Sequence, residues 1–349
     1  MKKIKLGDLC VPSAGQLKKD SDELIDYIDI SSIDNETKKV TGYQTLLFEE
    51  APSRARKTVK KGSILVSTVR PNLNAVAMLE EDTPNISVAS TGFCVLDSKE
   101  NVDNRFILNF CKSKTFINAM VAQATGASYP AVSDKIVRAA LVPDYTYEEQ
   151  CNISEVLDKV SNVIEKRKAE LCSLDDLIKA RFVELFGDPI INSKGLETKE
   201  LNEVLVLKAG DFTAASDISV EPTEINIYPC YGGNGIRGYV AEYNQEGEYS
   251  LVGRQGALSG NVQYATGKFK NTEHALLVKP IIQMNSIWLN QLLLNLDLKR
   301  YQTGAAQPGL SVKNLQEIHI IMVPIDEQRR FAEFVKQIDK SKLQKFSAA

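Results

Sequence analysis

Histidine is nearly absent. The chain has 349 residues and only two histidines, His274 and His319. Two cannot build a three-histidine zinc site, and neither has a carboxylate at metal-ligand spacing, so both read as strand residues. Cysteine is sparse and scattered: Cys10, Cys94, Cys111, Cys151, Cys172 and Cys230 form no C-x-x-C pair, which suits isolated reduced thiols in a cytoplasmic protein. No apolar run approaches the ~18 residues needed to span a bilayer. The first residues, Met1 to Asp8, are charged and carry no apolar core of a secretory signal. Composition is otherwise ordinary, with 43% hydrophobic, 25% charged and 7% aromatic residues, which excludes disordered, collagen-like and disulfide-scaffold classes.

Catalytic motifs are missing as well. There is no [DNS]-P-P-[YFW] run to hold a target amine, no Gly-rich strand-to-helix site for S-adenosylmethionine, and no G-x-x-x-x-G-K-[ST]. Pro143-Asp144 has no E-x-K after it and fits a helix start better than a nuclease. Gly233 to Gly238 matches G-x-G-x-x-G, but Tyr239 to Tyr243 follows as a strand where a dinucleotide site needs a helix. A Gly/Asn-rich loop between strands is the better reading. The net charge is −3, and no long segment is strongly basic, so a polyanion site must be a local patch.

What is present is a repeat. Leu6–Gly15 parallels Leu201–Gly210, Leu65-Val66 parallels Leu251-Val252, and Ser90–Leu96 parallels Asn271–Leu277. Thr125–Lys135 parallels Thr303–Lys313, and Val142-Pro143 with Glu149-Gln150 parallels Val323-Pro324 with Glu327-Gln328. These anchors keep their order while their offset falls from 195 to 178, as a duplication with shorter loops in the second copy would give.

A helix follows each copy. From Tyr147 to Phe186 the residues Ile153, Val156, Val160, Ile164, Leu171, Leu174, Ile178, Phe182 and Leu185 recur at steps of mostly three and four, one stripe on a helix of about 60 Å. Gly187-Asp188-Pro189 stops it. Asp326 to Phe346, with Phe331, Phe334, Val335, Ile338 and Leu343, is a shorter helix of the same kind. A lone helix cannot bury such a stripe, so the two are expected to pair antiparallel. Strands are expected at Gly62–Val69, Tyr249–Val252 and Ile318–Val323, and shorter helices at Arg105–Val121 and Ser286–Leu298. The boundaries expected are 1–146, 147–188 for the central helix, 189–324, and 325–349 for the distal helix.

The remaining polar chemistry suits DNA. Arg54, Arg56, Lys57, Lys60 and Lys61 place five cations in eight residues, available for phosphate contacts or for a solvated face. Arg70, Asn72 and Asn74 follow a strand, and Arg254, Gln255 and Asn261 sit at the matching point of the second copy. Arg pairs with guanine, and Asn or Gln with adenine. Ser128 and Tyr129 in one T-G-A loop, Gln307 and Lys313 in the other, and Tyr231, Asn234 and Arg237 complete the candidate set.

On these features the sequence resembles the specificity subunit of type I restriction-modification systems. The residues carrying the likeness are Ser63–Pro71, Ser90–Phe93 and the long helix ending Phe186–Pro189 in the first copy, and Tyr231–Tyr239, Val252–Ala257 and Thr272–Ala275 in the second. The resemblance implies an α+β protein: two mixed α/β target-recognition domains joined by long helices that pair as an antiparallel coiled coil. It implies that each domain reads one half of a bipartite site in double-stranded DNA, with half-sites about one helical turn (~34 Å) or slightly more apart. The helices would set that spacing and dock two modification subunits, which carry S-adenosylmethionine and methylate adenine at N6. A restriction subunit using ATP and Mg can join. Such a subunit has no chemistry and no cofactor of its own, and no membrane association. Helix pairing would run through Ile153, Val160, Ile164, Leu171 and Ile178 on one side, and Phe331, Val335 and Ile338 on the other. The distal helix is about half the length of the first, where the family has comparable ones. It reads as truncated, which leaves the stripe around Leu174 to Leu185 as the part expected to want a partner. The rival reading is a two-domain scaffold that binds only protein.

Overall fold

The computed structural model describes residues 2–12, 15–17, 23–304 and 308–347. The chain forms two compact units, Met1–Lys166 and Arg167–Ala349. The helices are α1 (Asn104–Lys112), α2 (Lys114–Gln123), α3 (Asp134–Arg138), α4 (Tyr147–Phe186), α5 (Leu201–Val204), α6 (Ser286–Asn295), α7 (Val312–Gln316) and α8 (Ile325–Ser347).

In the first unit the strands Gln44–Leu47, Leu24–Ile28, Ile86–Ser90 and Ala55–Thr58 form a four-stranded sheet in that order. Val76–Met78, Ile64–Ser67 and Phe93–Leu96 form an antiparallel three-stranded sheet. One core lies under α1, α2 and α3, around Ile64, Val66, Phe106, Phe116 and Met120. The single helix expected at Arg105–Val121 is two, because Ser113 takes an extended conformation and its side chain accepts from the N–H of Phe116, capping α2.

In the second unit six strands order as Leu205–Ala209, Ala275–Pro280, Gln245–Gly253, Val262–Asn271, Tyr228–Gly232 and Gly235–Val240. The core gathers around Trp288, Phe182, Phe186, Leu292 and Phe331. The G-x-G-x-x-G run is the turn and outer strand of the hairpin Tyr228–Gly232/Gly235–Val240, not a helix start.

The duplication holds at the level of single hydrogen bonds. Lys3–Lys5 pairs antiparallel with Leu141–Pro143, and Thr198–Glu200 pairs with His319–Ile321 in the same register. The N–H of Leu6 donates to Ala140 O, and that of Leu201 to Ile318 O, both at 2.8 Å. Thr125 and Ala131 exchange backbone bonds, as do Thr303 and Gly309.

Helix α4 starts at a capping box, in which Glu149 Oε2 accepts from the N–H of Thr146 and Thr146 Oγ1 from that of Glu149. It ends at Gly187, in the left-handed region at φ 79°. Near its end, Phe182 and Phe186 pack edge-on against Phe331 of α8 at 5.5 and 5.6 Å. Earlier along α4, Asp175 meets Lys342 of α8 at 2.6 Å. The two contacts advance in opposite chain directions, so the helices run antiparallel there, with Ile178, Phe331 and Val335 buried and Ile338 partly so.

The location of the uncovered stripe is the reverse of the expectation. Ile178, Phe182 and Phe186 are buried, whereas Val156, Val160, Val163 and Ile164 are each more than half exposed. Helix α8 begins beside the C-terminal end of α4, with Phe331 against Phe182 and Phe186. Folding back, it covers the C-terminal end of α4 first. At the other end Ile153 packs on the first unit's core, and Leu171 is half-buried.

Candidate nucleic-acid interface

In the first unit the strand Ile64–Ser67 runs into a loop that the backbone fixes tightly. The N–H of Arg70 donates to Pro130 O at 2.7 Å, and that of Val132 to Thr68 O at 2.9 Å. These bonds hold the segment 68–70 against the T-G-A loop. Arg70 adopts left-handed dihedrals, φ 50°, ψ 59°, a strained choice for a side chain with a Cβ. Its guanidinium lies 4.8 Å from the ring centroid of Tyr129, which is 69% exposed. Two flat polar surfaces therefore stand together at the surface, with Asn72 and Ser128 exposed beside them in sequence.

The second unit makes the same loop pair. The N–H of Gly256 donates to Pro308 O at 2.8 Å, and that of Leu310 to Arg254 O at 2.9 Å. This register matches Arg70 with Gly256, and Arg254 with Thr68. The two arginines are therefore two residues out of step, which corrects the sequence-level match. Around Arg254 the backbones approach closely: a Cβ on Gly253 would meet Gly233 O at 2.2 Å, and one on Gly233 would meet His274 O at 3.2 Å. Only glycine permits that packing. It brings Asn234, Arg254 and Gln255 together, and Asn261 joins them by donating from Nδ2 to Asn234 Oδ1 at 2.6 Å.

Other candidates stand apart or are engaged. Asn74 is buried, and its Nδ2 donates to Cys111 O at 2.9 Å, so it fastens the loop to α1. Lys57 donates to Phe93 O and pairs with Asp134, both at 2.6 Å, with its side chain largely covered. Neither is free for DNA, a correction to the sequence reading. The cationic run does not form one patch. Residues 55–58 are a strand with a register shift between Ala55 and Lys57, and its cations are engaged separately. Arg56 stacks over Phe48 at 5.2 Å, while Arg54, Lys60 and Lys61 stay exposed. Tyr231 is half-buried against Phe269, Arg237 is exposed beside Gly232, and Lys313 is exposed on α7. Gln307 lies outside the described residues.

Sequence reasoning missed two features. His274 is not in a strand; it occupies the turn before Ala275–Pro280, with its ring against Gln255. Phe212 is 78% exposed, on the loop whose Thr213 N–H reaches Glu273. An alternation pattern cannot reveal either. Among the described residues no group of three or more His, Cys, Asp or Glu could hold a metal ion, and no helix is long and apolar enough to cross a membrane. Burial pushes the Cys10 thiol up to about 11 and Cys94 to about 12, so neither is a ready nucleophile.

The family model described as the type I restriction modification DNA specificity domain matches residues 1–172 and 193–346. The chain is 35% identical over 201 residues to the type I restriction enzyme EcoprrI specificity subunit of Escherichia coli, covering 56% of this chain and 50% of that protein. It is 32% identical over 158 residues to a putative type I restriction enzyme specificity subunit, S.HindORF215P of Haemophilus influenzae, covering 44% and 39%. The chain thus spans half or less of the length of these curated relatives. Among solved structures, the type I restriction-modification S subunit of M. genitalium aligns with a TM-score of 0.56 at 18% identity, over 98% of this chain and 90% of that one. A chain from a structural study of assembly and conformational transition in the type I system aligns with a TM-score of 0.55 at 23% identity, over 99% and 92%. These two likenesses concern the fold.

Proposed function

The chain belongs to the type I restriction modification DNA specificity family, and from that premise we propose that it is the sequence-reading, non-catalytic subunit of such a complex. Each repeat, 1–146 and 189–324, reads one half of a bipartite site in double-stranded DNA. The observation that carries this is the repeated loop pair. Residues 68–70 are locked to 130–132 and residues 254–256 to 308–310 by equivalent backbone bonds, yet the exposed side chains on them differ. A common scaffold with different polar tips is what two half-sites of different sequence require.

Arg70 with Tyr129, and Arg254 with Gln255, Asn234 and Asn261, are the base-reading groups of this proposal. Arg54, Lys60, Lys61, Arg237 and Lys313 are its phosphate contacts. Two modification subunits carrying S-adenosylmethionine, and a restriction subunit using ATP and Mg, supply the chemistry in the cytoplasm. The exposed half of α4, through Val160 and Ile164, is a docking face for a modification subunit.

The test is a genome-wide map of N6-methyladenine in cells with the gene intact and deleted. A bipartite methylated motif that vanishes on deletion is the expected result. If no motif depends on the gene, the reading fails, and the protein-binding scaffold takes its place.

A further inference from the structure

Both ring nitrogens of His274 are engaged. Nδ1 lies 2.7 Å from Gln255 Oε1, and Nε2 lies 3.1 Å from Glu273 Oε1. The second oxygen of Glu273, Oε2, accepts from the N–H of Thr213 at 3.2 Å. A line of hydrogen bonds thus runs from the backbone of one loop, through a carboxylate and an imidazole, to an exposed glutamine amide.

The line is not a requirement of the fold. The N–H of Arg254 donates to His274 O, and that of Thr68 donates to Gly92 O, so Gly92 holds the place of His274 in the first unit. By the loop register, Val69 holds the place of Gln255. The first unit closes the same loops with a valine and a glycine, and with neither polar side chain.

The chemistry of the line is directional. A carboxylate only accepts, so Nε2 carries a hydrogen. Nδ1 then decides how the Gln255 amide is turned: a protonated Nδ1 takes the oxygen, and a bare one takes the NH2. Either way one end of the amide is held and the other faces outward with a fixed identity. A free glutamine can turn over and present either end. A held one distinguishes bases by the donors and acceptors on their edges.

We propose that His274 is a positioning residue for base recognition, fixing the Gln255 amide and so setting which base the second unit accepts at one point of its half-site. The proposal rests on the DNA-reading role given above.

It is tested by mapping methylated adenines in cells carrying the full-length chain as wild type, Gln255→Ala, His274→Ala, His274→Asn or His274→Gln. The wild-type map must show a bipartite motif. Gln255→Ala is expected to relax one position of one half-site, with base discrimination there falling about tenfold or more. His274→Ala is expected to relax that same position and leave the other half-site unchanged. His274→Asn, whose side-chain amide can offer either its oxygen or its NH2 where Nδ1 stood, keeps discrimination. His274→Gln reaches Glu273 but not Gln255, and loses it. If Gln255→Ala changes nothing, or relaxes a position that every His274 variant retains, the proposal is overturned while the DNA-reading role stands. If His274→Ala abolishes methylation through misfolding, the Asn and Gln pair decides; equal behaviour of those two overturns it. A wild-type chain without a motif overturns the DNA-reading role and this inference with it.

Discussion

Gln150 and Gln328 perform one task in two places. Each is 2% exposed. Gln150 Oε1 accepts from the N–H of Asp103 at 3.1 Å and its Nε2 donates to Tyr145 O at 2.9 Å; Gln328 does the same with Asn285 and Val323, both at 2.9 Å. Asp103 and Asn285 are the N-cap residues of α1 and α6. Each long helix is therefore fastened at its first turn to the start of a shorter one. Gln150→Ala and Gln328→Ala each strand a covered N–H and should cost about 1–3 kcal/mol, read as a lower denaturation midpoint. A loss in only one copy would break the equivalence.

The join between α4 and α8 is aromatic rather than ionic. Phe331→Ala empties a fully buried site between Phe182 and Phe186, and should cost about 3–5 kcal/mol. Lys342→Ala removes a pair whose Asp175 side chain is 70% exposed, and should cost less than about 1 kcal/mol. Chemical denaturation of the two variants separates these values.

Arg70 sits at φ 50° with its guanidinium over the exposed ring of Tyr129. Arg70→Gly relaxes φ 50° and should leave stability within about 1 kcal/mol. It should weaken discrimination in the first half-site about tenfold or more, about 1.4 kcal/mol. A thermal melt and the methylation map, taken on the same variant, check both halves.

Val156, Val160, Val163 and Ile164 form a stripe of α4 that is more than half exposed. Val160→Glu with Ile164→Glu should change the stability of the isolated chain by no more than about 0.5 kcal/mol each. Co-purification with a modification subunit should be lost. Retained co-purification would place docking elsewhere.

Acid should unfold the first unit partly through Asp26. Burial pushes its carboxyl up, but Thr45 Oγ1 at 2.6 Å, the Asn85 N–H at 2.8 Å and Asn85 Nδ2 at 3.1 Å donate to it and hold it below the usual carboxylate range. The folded value lies below the unfolded one of about 3.9. This contribution is therefore complete above that pH and is lost as pH falls through the folded value. Asp26→Asn should be less stable at neutral pH and show a shallower acid loss below about pH 4, measured by denaturation across pH.

Elements with a local signal are legible in residue order alone. The 3.6-residue stripe gave α4 as Tyr147–Phe186, because one apolar face and the Gly187 stop need no distant partner to be read. The ordered anchors gave the duplication, although the strand register matches 141–143 with 319–321, three residues away from the Val142-Pro143 and Val323-Pro324 match. Tertiary structure decided whatever depended on direction in space. Contacts of Arg56 with Phe48 and of Lys57 with Asp134 divided the basic run, and burial took Asn74 out of the candidate interface. Close glycine packing brought Asn234 to Arg254, and a turn carried His274 to Gln255 across 19 residues. Residues far apart in sequence meet only after the backbone has closed its hydrogen bonds, and periodicity along a chain carries no record of which distant loops those bonds join.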